Sequence, residues 1–182
     1  MEVKKVIASA LNLLGRADLV PALDSGGEEG RELIQTLLYC FNAVEDELAR
    51  KYIPLTARDE LISPHTRFYY TLFTRTPVRI KRVTVDGVAV KYEVYAQYLV
   101  VQSEKISVEY EYAPRRKTLA DNSDYGDEVG EYLIALGMAS EYSVINGEAE
   151  MADRWEKAYR ARLDGVQRAL PVCAHIPPRR WI

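Results

Sequence analysis

The spacing of apolar residues changes twice along this chain of 182 residues. Up to about residue 51, apolar side chains recur every three or four positions, which is the period of one face of a helix. Between residues 57 and 114 they alternate with polar side chains, and β-branched and aromatic residues dominate, as in half-buried strands. Helical spacing returns after Gly126. We therefore predict the α+β class, with two helices, an antiparallel β insertion and two further helices.

Four helices are predicted in the two helical segments. Their ranges are 1–14, about 28–51, 126–146 and about 148–168. The third is apolar on almost all sides, which predicts a central position. Pro21 and the pair Gly26-Gly27 predict a loop between the first two helices, from Gly15 to Gly30. Because each apolar stripe needs cover, residues 1–54 and 126–169 are expected to form one four-helix bundle.

The β insertion, residues 55–115, is predicted to form a separate lobe of about five antiparallel strands between helices two and three. The strands cover residues 68–73, 78–85, 88–94, 98–102 and 106–112. Asp86-Gly87 is a favoured two-residue hairpin turn. Before this turn, the parity of the apolar positions changes between Ile80 and Val83, so we expect a β-bulge near Arg82.

Composition excludes several classes of protein. The 24 basic and 27 acidic residues give a net charge of -3, which provides no overall attraction to nucleic acid or to an anionic membrane. No segment has the apolar length of a membrane span, and the N-terminal residues are not expected to be a signal peptide. Cys40 and Cys173 are far apart, which predicts reduced thiols in a cytoplasm rather than a disulfide framework.

No catalytic, metal or cofactor site is predicted. The histidines, His65 and His175, have no nucleophile and acid at a recognised spacing, so we do not expect an enzyme. Cys173 and His175 offer two metal ligands, where a structural zinc site needs four. Residues 121–128 resemble a calcium loop, but Tyr132 stands where that loop requires a bidentate glutamate. We interpret this acidic segment as a polar linker whose aspartates cap the third helix.

A basic cluster in the β insertion lies next to acidic residues of neighbouring strands. The basic residues are Arg75, Arg79, Lys81 and Arg82, and the acidic residues are Glu93, Glu104, Glu109 and Glu111. We expect the two sets to pair across strands and to form a solvated face of mixed charge rather than a nucleic-acid-binding surface.

Tyrosine is in excess, with 13 tyrosines against 3 phenylalanines. A tyrosine ring combines a large apolar area with a polar hydroxyl group, which suits half-buried sheet faces and protein interfaces better than a dry core.

The last segment, residues 170–182, is predicted to be an extended tail, because it contains three prolines and cannot continue a helix. It ends in Arg179, Arg180, Trp181 and Ile182. Arginine and tryptophan are enriched among the residues that contribute most to protein interfaces. These four residues are our candidate partner-binding site.

Several parts of the chain resemble the head-to-tail connector, or adaptor, proteins of tailed bacteriophages. They are the first helix with its Ala-Leu-Asn-Leu-Leu-Gly-Arg end, the end of the second helix from Ala49 to Leu55, the strand and turn from Val83 to Gly87, and above all Asp127 to Leu163. Residues 131–142 and 152–163 have the strongest similarity. The ending Arg179-Arg180-Trp181-Ile182 is also similar to the basic and aromatic ending of the family.

The resemblance implies a structural virion protein, like the adaptors of short-tailed phages, that joins the portal protein at the capsid vertex to the phage tail. It implies self-association into a dodecameric ring beneath the portal, with DNA passing through without sequence-specific binding. In that family the C-terminal extension reaches onto the portal, which implies portal binding for residues 170–182. The tail nozzle protein is then the partner on the other side. The implied location is the virion, and the host cytoplasm during assembly, with no cofactor and no membrane.

A second interpretation rests on the residues alone. It is a regulatory protein-binding module that uses the tyrosine-rich face of the sheet. A ring built from head-to-tail contacts needs two different complementary faces on each subunit, whereas a binding module needs only one.

Overall fold

Two hydrophobic cores, one among the helices and one between two β-sheets, organise the structure. It is a computed structural model and describes residues 1–25 and 30–169. The helical core includes the fully buried side chains of Leu37, Phe41 and Leu133. The sheet core includes those of Phe68 and Leu99.

Five α-helices lie in the described part of the chain. They are α1 (Val3–Leu13), α2 (Ala22–Ser25), α3 (Arg31–Glu47), α4 (Glu131–Ile145) and α5 (Ala149–Ala169). A 3₁₀ turn (Ala17–Leu19) precedes α2, and a π-helical turn (Leu48–Tyr52) extends α3. None of the helices within residues 1–25 and 30–169 has both the length and the apolar composition needed to span a membrane.

The predicted α+β class is confirmed, but the predicted four-helix bundle is wrong. Helix α4 packs against α1, α3 and α5, and all its residues from Leu133 to Ser140 are buried. In a four-helix bundle each helix buries one stripe toward a shared axis, whereas here α4 itself lies at the centre. The central position predicted for the third helix is confirmed, because its sequence has no polar face to turn toward water.

The segment predicted as a loop between the first two helices instead contains α2. Leu19 and Leu23 lie four residues apart and are both buried in the helical core. Pro21, just before α2, suits a helix start, where a missing N–H costs little. Gly30, immediately before α3, has a φ of +70°, and a Cβ atom there would lie 2.7 Å from Cδ1 of Leu19. Two buried leucines, one in the 3₁₀ turn and one in α2, are too few to show a helical period in the sequence.

Seven strands form two antiparallel sheets between α3 and α4, where about five strands were expected. They are β1 (Leu55–Ile62), β2 (Arg67–Tyr69), β3 (Pro77–Val85), β4 (Val88–Ala89), β5 (Glu93–Val94), β6 (Tyr98–Val100) and β7 (Lys105–Tyr112). The first sheet has the order β1-β7-β3-β4, and the second has the order β2-β6-β5.

The predicted turn and bulge are both confirmed. Asp86 and Gly87 join β3 to β4 with positive φ values of +49° and +82°, as a type I′ turn requires. The register of β3 against β7 shifts between Ile80 and Arg82, where the parity of the apolar residues changes.

The five predicted strands do not include β1, and its inward-facing side chains explain the omission. Ala57 and Asp59 stand on the inner face before Leu61, so the apolar alternation is weak. The Asp59 carboxylate accepts hydrogen bonds from the Tyr110 hydroxyl (2.8 Å) and from the Thr74 N–H (2.7 Å). Burial, together with the hydrogen bond from the Tyr110 hydroxyl to Asp59, raises the pKa of Tyr110 to about 12.

Gly137 allows α4 to approach its neighbours closely. A Cβ atom there would lie 2.9 Å from Cγ1 of Val44 and 3.1 Å from Cε2 of Tyr159. We expect Gly137→Leu to lower the free energy of unfolding by about 3 kcal/mol through overpacking. The matched control is Gly165→Leu on α5, where a Cβ atom meets open space, and we expect a gain of about 0.5–1 kcal/mol from helix propensity. Urea unfolding measures both, and wild-type stability of Gly137→Leu would refute this account of the packing.

Candidate interaction surfaces

The predicted partner-binding residues Arg179, Arg180, Trp181 and Ile182 lie outside the described residues. The structure nevertheless fixes where the segment that contains them begins. Near the end of α5, the Gln167 Nε2 donates a hydrogen bond to the Tyr52 carbonyl oxygen (3.1 Å). The part of the chain that leads into residues 170–182 therefore lies beside Tyr52, where the π-helical turn after α3 leads into β1.

The outer face of the second sheet carries a row of tyrosine rings. Because Phe68 and Leu99 pair across β2 and β6 and point into the sheet core, their neighbours in each strand point outward. We name the resulting surface the aromatic groove. It is lined by Ser63, His65, Thr66, Arg67, Tyr69, Glu93, Tyr95, Tyr98 and Val100, and encloses about 650 Å³.

The rings of the aromatic groove form angled walls rather than a flat platform. Tyr95 stacks on Tyr98 with centroids 5.0 Å apart, and Tyr69 is tilted by 59° against Tyr98 at 5.5 Å. The Arg67 guanidinium lies 5.7 Å from the Tyr98 centroid. Tyr69 and Tyr95 are each 46% exposed, which is high for rings of this size.

Polar contacts hold one wall of the groove in place. The Tyr95 hydroxyl donates to Oε2 of Glu93 (2.8 Å), and the Tyr70 hydroxyl donates to the Tyr95 carbonyl oxygen (2.8 Å). The hydrogen bond to the Glu93 carboxylate raises the pKa of Tyr95. The hydroxyl groups of Tyr69 and Tyr98 have no hydrogen-bond partner within residues 1–25 and 30–169. They are therefore available to a ligand as donors.

The outer face of the first sheet is the mixed-charge surface that the sequence predicts. Arg79 pairs with Glu111 (3.7 Å), and Lys81 pairs with Glu109 (3.8 Å). The Arg75 guanidinium instead lies over the Tyr112 ring, 5.5 Å from its centroid. The expected pairing is therefore confirmed for Glu109 and Glu111.

The expected pairing is wrong for the other two acidic residues. Glu93 lies in β5 of the second sheet, where it accepts the hydrogen bond from Tyr95. Glu104 precedes β7, and its carboxylate forms no ion pair with any residue that the structure describes. The sequence did not show that the strands belong to two sheets.

A buried polar cluster connects the segment between β7 and α4 to helix α3. Oε1 of Glu45 accepts hydrogen bonds from the Ser123 hydroxyl (2.6 Å) and from the Asp124 N–H (2.9 Å). Lys117 forms an ion pair with Asp124 (2.6 Å), and both side chains are almost fully buried. Asn42 accepts a hydrogen bond from the Lys117 N–H (2.6 Å) and donates one to its carbonyl oxygen (3.2 Å).

The cluster contains two carboxylate oxygens without a partner in the described part of the chain, Oε2 of Glu45 and Oδ2 of Asp124. Burial raises the pKa of Glu45, against the opposing effect of the Ser123 hydrogen bond. Sequence reasoning missed Glu45, although one signal was available. Glu45 lies four residues after Phe41, so a charged side chain stands within the apolar stripe of the helix.

The acidic segment that resembles a calcium loop uses its oxygens to accept hydrogen bonds from the chain itself. Asp121 accepts from the Thr118 N–H and hydroxyl groups and from Arg115. The prediction that Asp124 or Asp127 caps the next helix is wrong, because α4 follows Gly130 without a side-chain cap. Asp124 is committed to Lys117 instead.

Exposed apolar side chains also occur among the helices. Val144 (62% exposed) and Ile145 (51% exposed) end α4, and Met151 lies in the first turn of α5. We name these three residues the helical tip. Tyr39 on α3 and Tyr132 on α4 are further exposed rings. The helical tip belongs to α4 and α5, whereas the aromatic groove belongs to the second sheet, so the two are separate surfaces.

No protein-family model and no curated protein sequence matches the chain.

The raised pKa of Glu45 predicts a pH dependence of stability. Above the ordinary value of 4.5, the folded chain retains a proton that the unfolded chain releases, so stability falls as the pH rises toward the folded pKa. Glu45→Gln keeps the acceptor oxygen but does not titrate. We expect its free energy of unfolding, relative to the wild type, to increase between pH 5 and pH 8, as measured by urea unfolding.

The control for this prediction is Glu45→Ala. It removes the acceptor of the Ser123 hydroxyl and of the Asp124 N–H, so we expect a loss of about 2–3 kcal/mol across the whole pH range. Parallel pH profiles of the wild type and Glu45→Gln would contradict a raised pKa.

Proposed function

We propose that the chain is a structural protein of a tailed bacteriophage that joins the portal protein to the tail nozzle protein as a subunit of a ring through which DNA passes. The observation that carries this proposal is the presence of two separate exposed apolar surfaces, the aromatic groove and the helical tip. The resemblance of residues 127–163 to connector proteins, which falls on α4 and α5, supports the same role.

A chain with two exposed apolar surfaces suits a ring subunit better than it suits a binding module with a single site. In a ring each subunit contacts its two neighbours through different faces, so two complementary surfaces are needed. The exposed rings of the groove and the aliphatic side chains of the helical tip differ in chemistry, as unlike faces of one subunit do. Exposed apolar area of this kind is typical of surfaces that bind other proteins.

The charge distribution suits a conduit for DNA. The net charge is -3, and Arg79 and Lys81 on the first sheet are paired with glutamates. Affinity for DNA grows with the number of phosphates that basic side chains neutralise. A ring of such subunits therefore lets DNA pass without holding it.

Portal binding is assigned in this proposal to residues 170–182 and above all to Arg179, Arg180, Trp181 and Ile182. The end of α5 supports this assignment, because Gln167 places it beside Tyr52 at the edge of the helical core.

The experiment is co-purification of the full chain with the product of the adjacent portal-sized gene, followed by negative-stain electron microscopy of the eluate. We expect stacked rings that contain both proteins. Failure to associate, with an intact folded monomer, would refute the connector role. That outcome would favour the second candidate, a regulatory module, for which the aromatic groove is the specific observation.

Deleting Leu170 to Ile182 is expected to leave the fold intact and to abolish portal binding, because the segment lies outside every periodic segment of the sequence. The triple variant Arg179→Ser/Arg180→Ser/Trp181→Ser is expected to do the same in the full-length chain. Arg154→Ser/Arg162→Ser, which removes two exposed arginines of α5, is the matched control and should bind normally. Circular dichroism checks the fold, and normal portal binding by the deletion or loss of folding would contradict the prediction.

A further inference from the structure

Strand β1 has one open edge in the described part of the chain. It pairs with β7 along all eight of its residues, and no strand within residues 1–25 and 30–169 pairs with its other side. The register of β1 against β7 contains no bulge. A regular edge of this length presents a row of backbone N–H and C=O groups to which a further strand can bind.

One hydrogen bond shows which backbone groups of β1 face the open edge. The Ser63 N–H donates to the Glu104 carbonyl oxygen (2.8 Å), one step beyond the paired residues of β1 and β7. Since hydrogen bonding alternates along an antiparallel pair, the odd-numbered residues of β1 bond to β7 and the even-numbered ones point their N–H and C=O groups outward. The backbone groups of Thr56, Arg58 and Glu60 therefore lie at the open edge, without a partner among residues 1–25 and 30–169.

The inner face of the first sheet is incompletely covered along the same edge. Ala57 and Asp59 point inward but are only partly buried, whereas their β7 partners Tyr110 and Val108 are fully buried. Apolar side chains of a strand added at this edge would remove further apolar surface from water. The open edge therefore lacks both hydrogen-bond partners and apolar cover.

We infer that residues 172–176 of the same chain, Val-Cys-Ala-His-Ile, add to the open edge of β1 as a parallel strand. Val172 and Ile176 are β-branched, and the five residues contain neither glycine nor proline, as suits a strand. Pro171 and Pro177 flank them and limit the strand at both ends. The inference concerns the chain alone and does not rest on the proposed portal role.

The two flanking prolines determine which residues of the segment bond to β1. In a parallel pair, every second residue of a strand directs its N–H and C=O groups toward the neighbouring strand. Pro171 and Pro177 have no N–H and are both odd-numbered, so the bonded residues are the even-numbered ones. These are Val172, Ala174 and Ile176, which are also the apolar aliphatic residues of the segment.

In the register that we infer, Val172, Ala174 and Ile176 lie opposite Leu55, Ala57 and Asp59. Neighbouring side chains of a parallel pair lie on the same face, so the three aliphatic side chains cover the partly buried inner margin of β1. The Ala174 N–H then donates to the Thr56 carbonyl oxygen, and the Ala174 carbonyl oxygen accepts from the Arg58 N–H. The hydrogen-bonding need of the edge and its apolar need are met by the same residues.

The length of the segment fits this register. The hydrogen bond from Gln167 to the Tyr52 carbonyl oxygen places the end of α5 beside the start of β1. Seven residues separate Tyr52 from Asp59, and seven separate Ala169 from Ile176. Each stretch covers at most about 23 Å at about 3.3 Å per residue, so Ile176 arrives level with Asp59. Because both stretches leave from the same end, the two strands run parallel.

The test measures amide hydrogen exchange in the full chain by ¹⁵N NMR. We expect the Arg58 and Glu60 amides, which face the open edge, to exchange about 100-fold more slowly than in an unstructured chain. Ala174→Pro removes the N–H that binds Thr56 and should abolish this protection. His175→Pro is the matched control, because the N–H of residue 175 points away from β1, and it should retain the protection.

The Asp59 amide verifies the fold in each variant. Asp59 bonds to β7, so its amide should exchange slowly in the wild type and in both proline variants. A second measurement needs no variant. In the wild type we expect a nuclear Overhauser effect between the methyl groups of Ala174 and Ala57, which lie about 5 Å apart in adjacent strands. In a mixture of ¹³C-labelled and unlabelled chains, it should arise within single molecules.

Three results would overturn the inference. They are rapid exchange of the Arg58 and Glu60 amides in the wild type, equal exchange in Ala174→Pro and His175→Pro, and a contact of Ala174 with Ala57 only between differently labelled molecules. The last result would place the segment of an adjacent copy on the edge. Failure of portal co-purification would leave all these signals unaffected, so the two proposals fail separately.

Discussion

The hydrogen bonds that Glu45 accepts fix the path of the chain between the two cores. After β7 the chain crosses α3 without regular secondary structure, so its polar groups need partners from elsewhere. Glu45 supplies an acceptor for Ser123 and Asp124, and Asn42 binds both backbone groups of Lys117. Removing one hydrogen-bonding group from such a buried set leaves its partners unsatisfied. The resulting loss in the free energy of unfolding exceeds what the complete set of hydrogen bonds contributes to it. The cluster therefore specifies one arrangement of the crossing segment on α3, and α4 starts from its end.

This arrangement determines which surfaces stay exposed. Because α4 occupies the centre of the helical core, its middle from Leu133 to Ser140 is buried, and its last turn carries the exposed side chains of Val144 and Ile145. In the sheets, Phe68 and Leu99 fill the core, so their neighbours on the outer face form the aromatic groove. Both exposed surfaces are thus consequences of how the cores are filled.

Sequence reasoning worked where a residue acts locally and failed where tertiary contacts decide. Asp86-Gly87 requires positive φ values, and the change of parity near Arg82 requires a bulge, so both were predictable. The continuous alternation from Val88 to Val94 predicted one strand, but its two ends pair with different sheets. An alternation of apolar and polar residues does not show where a chain passes from one sheet to another. For the aromatic groove, the excess of tyrosine in the sequence pointed to a sheet face. The contact of Tyr69 with Tyr98 could not be predicted, because it depends on the register of β2 against β6.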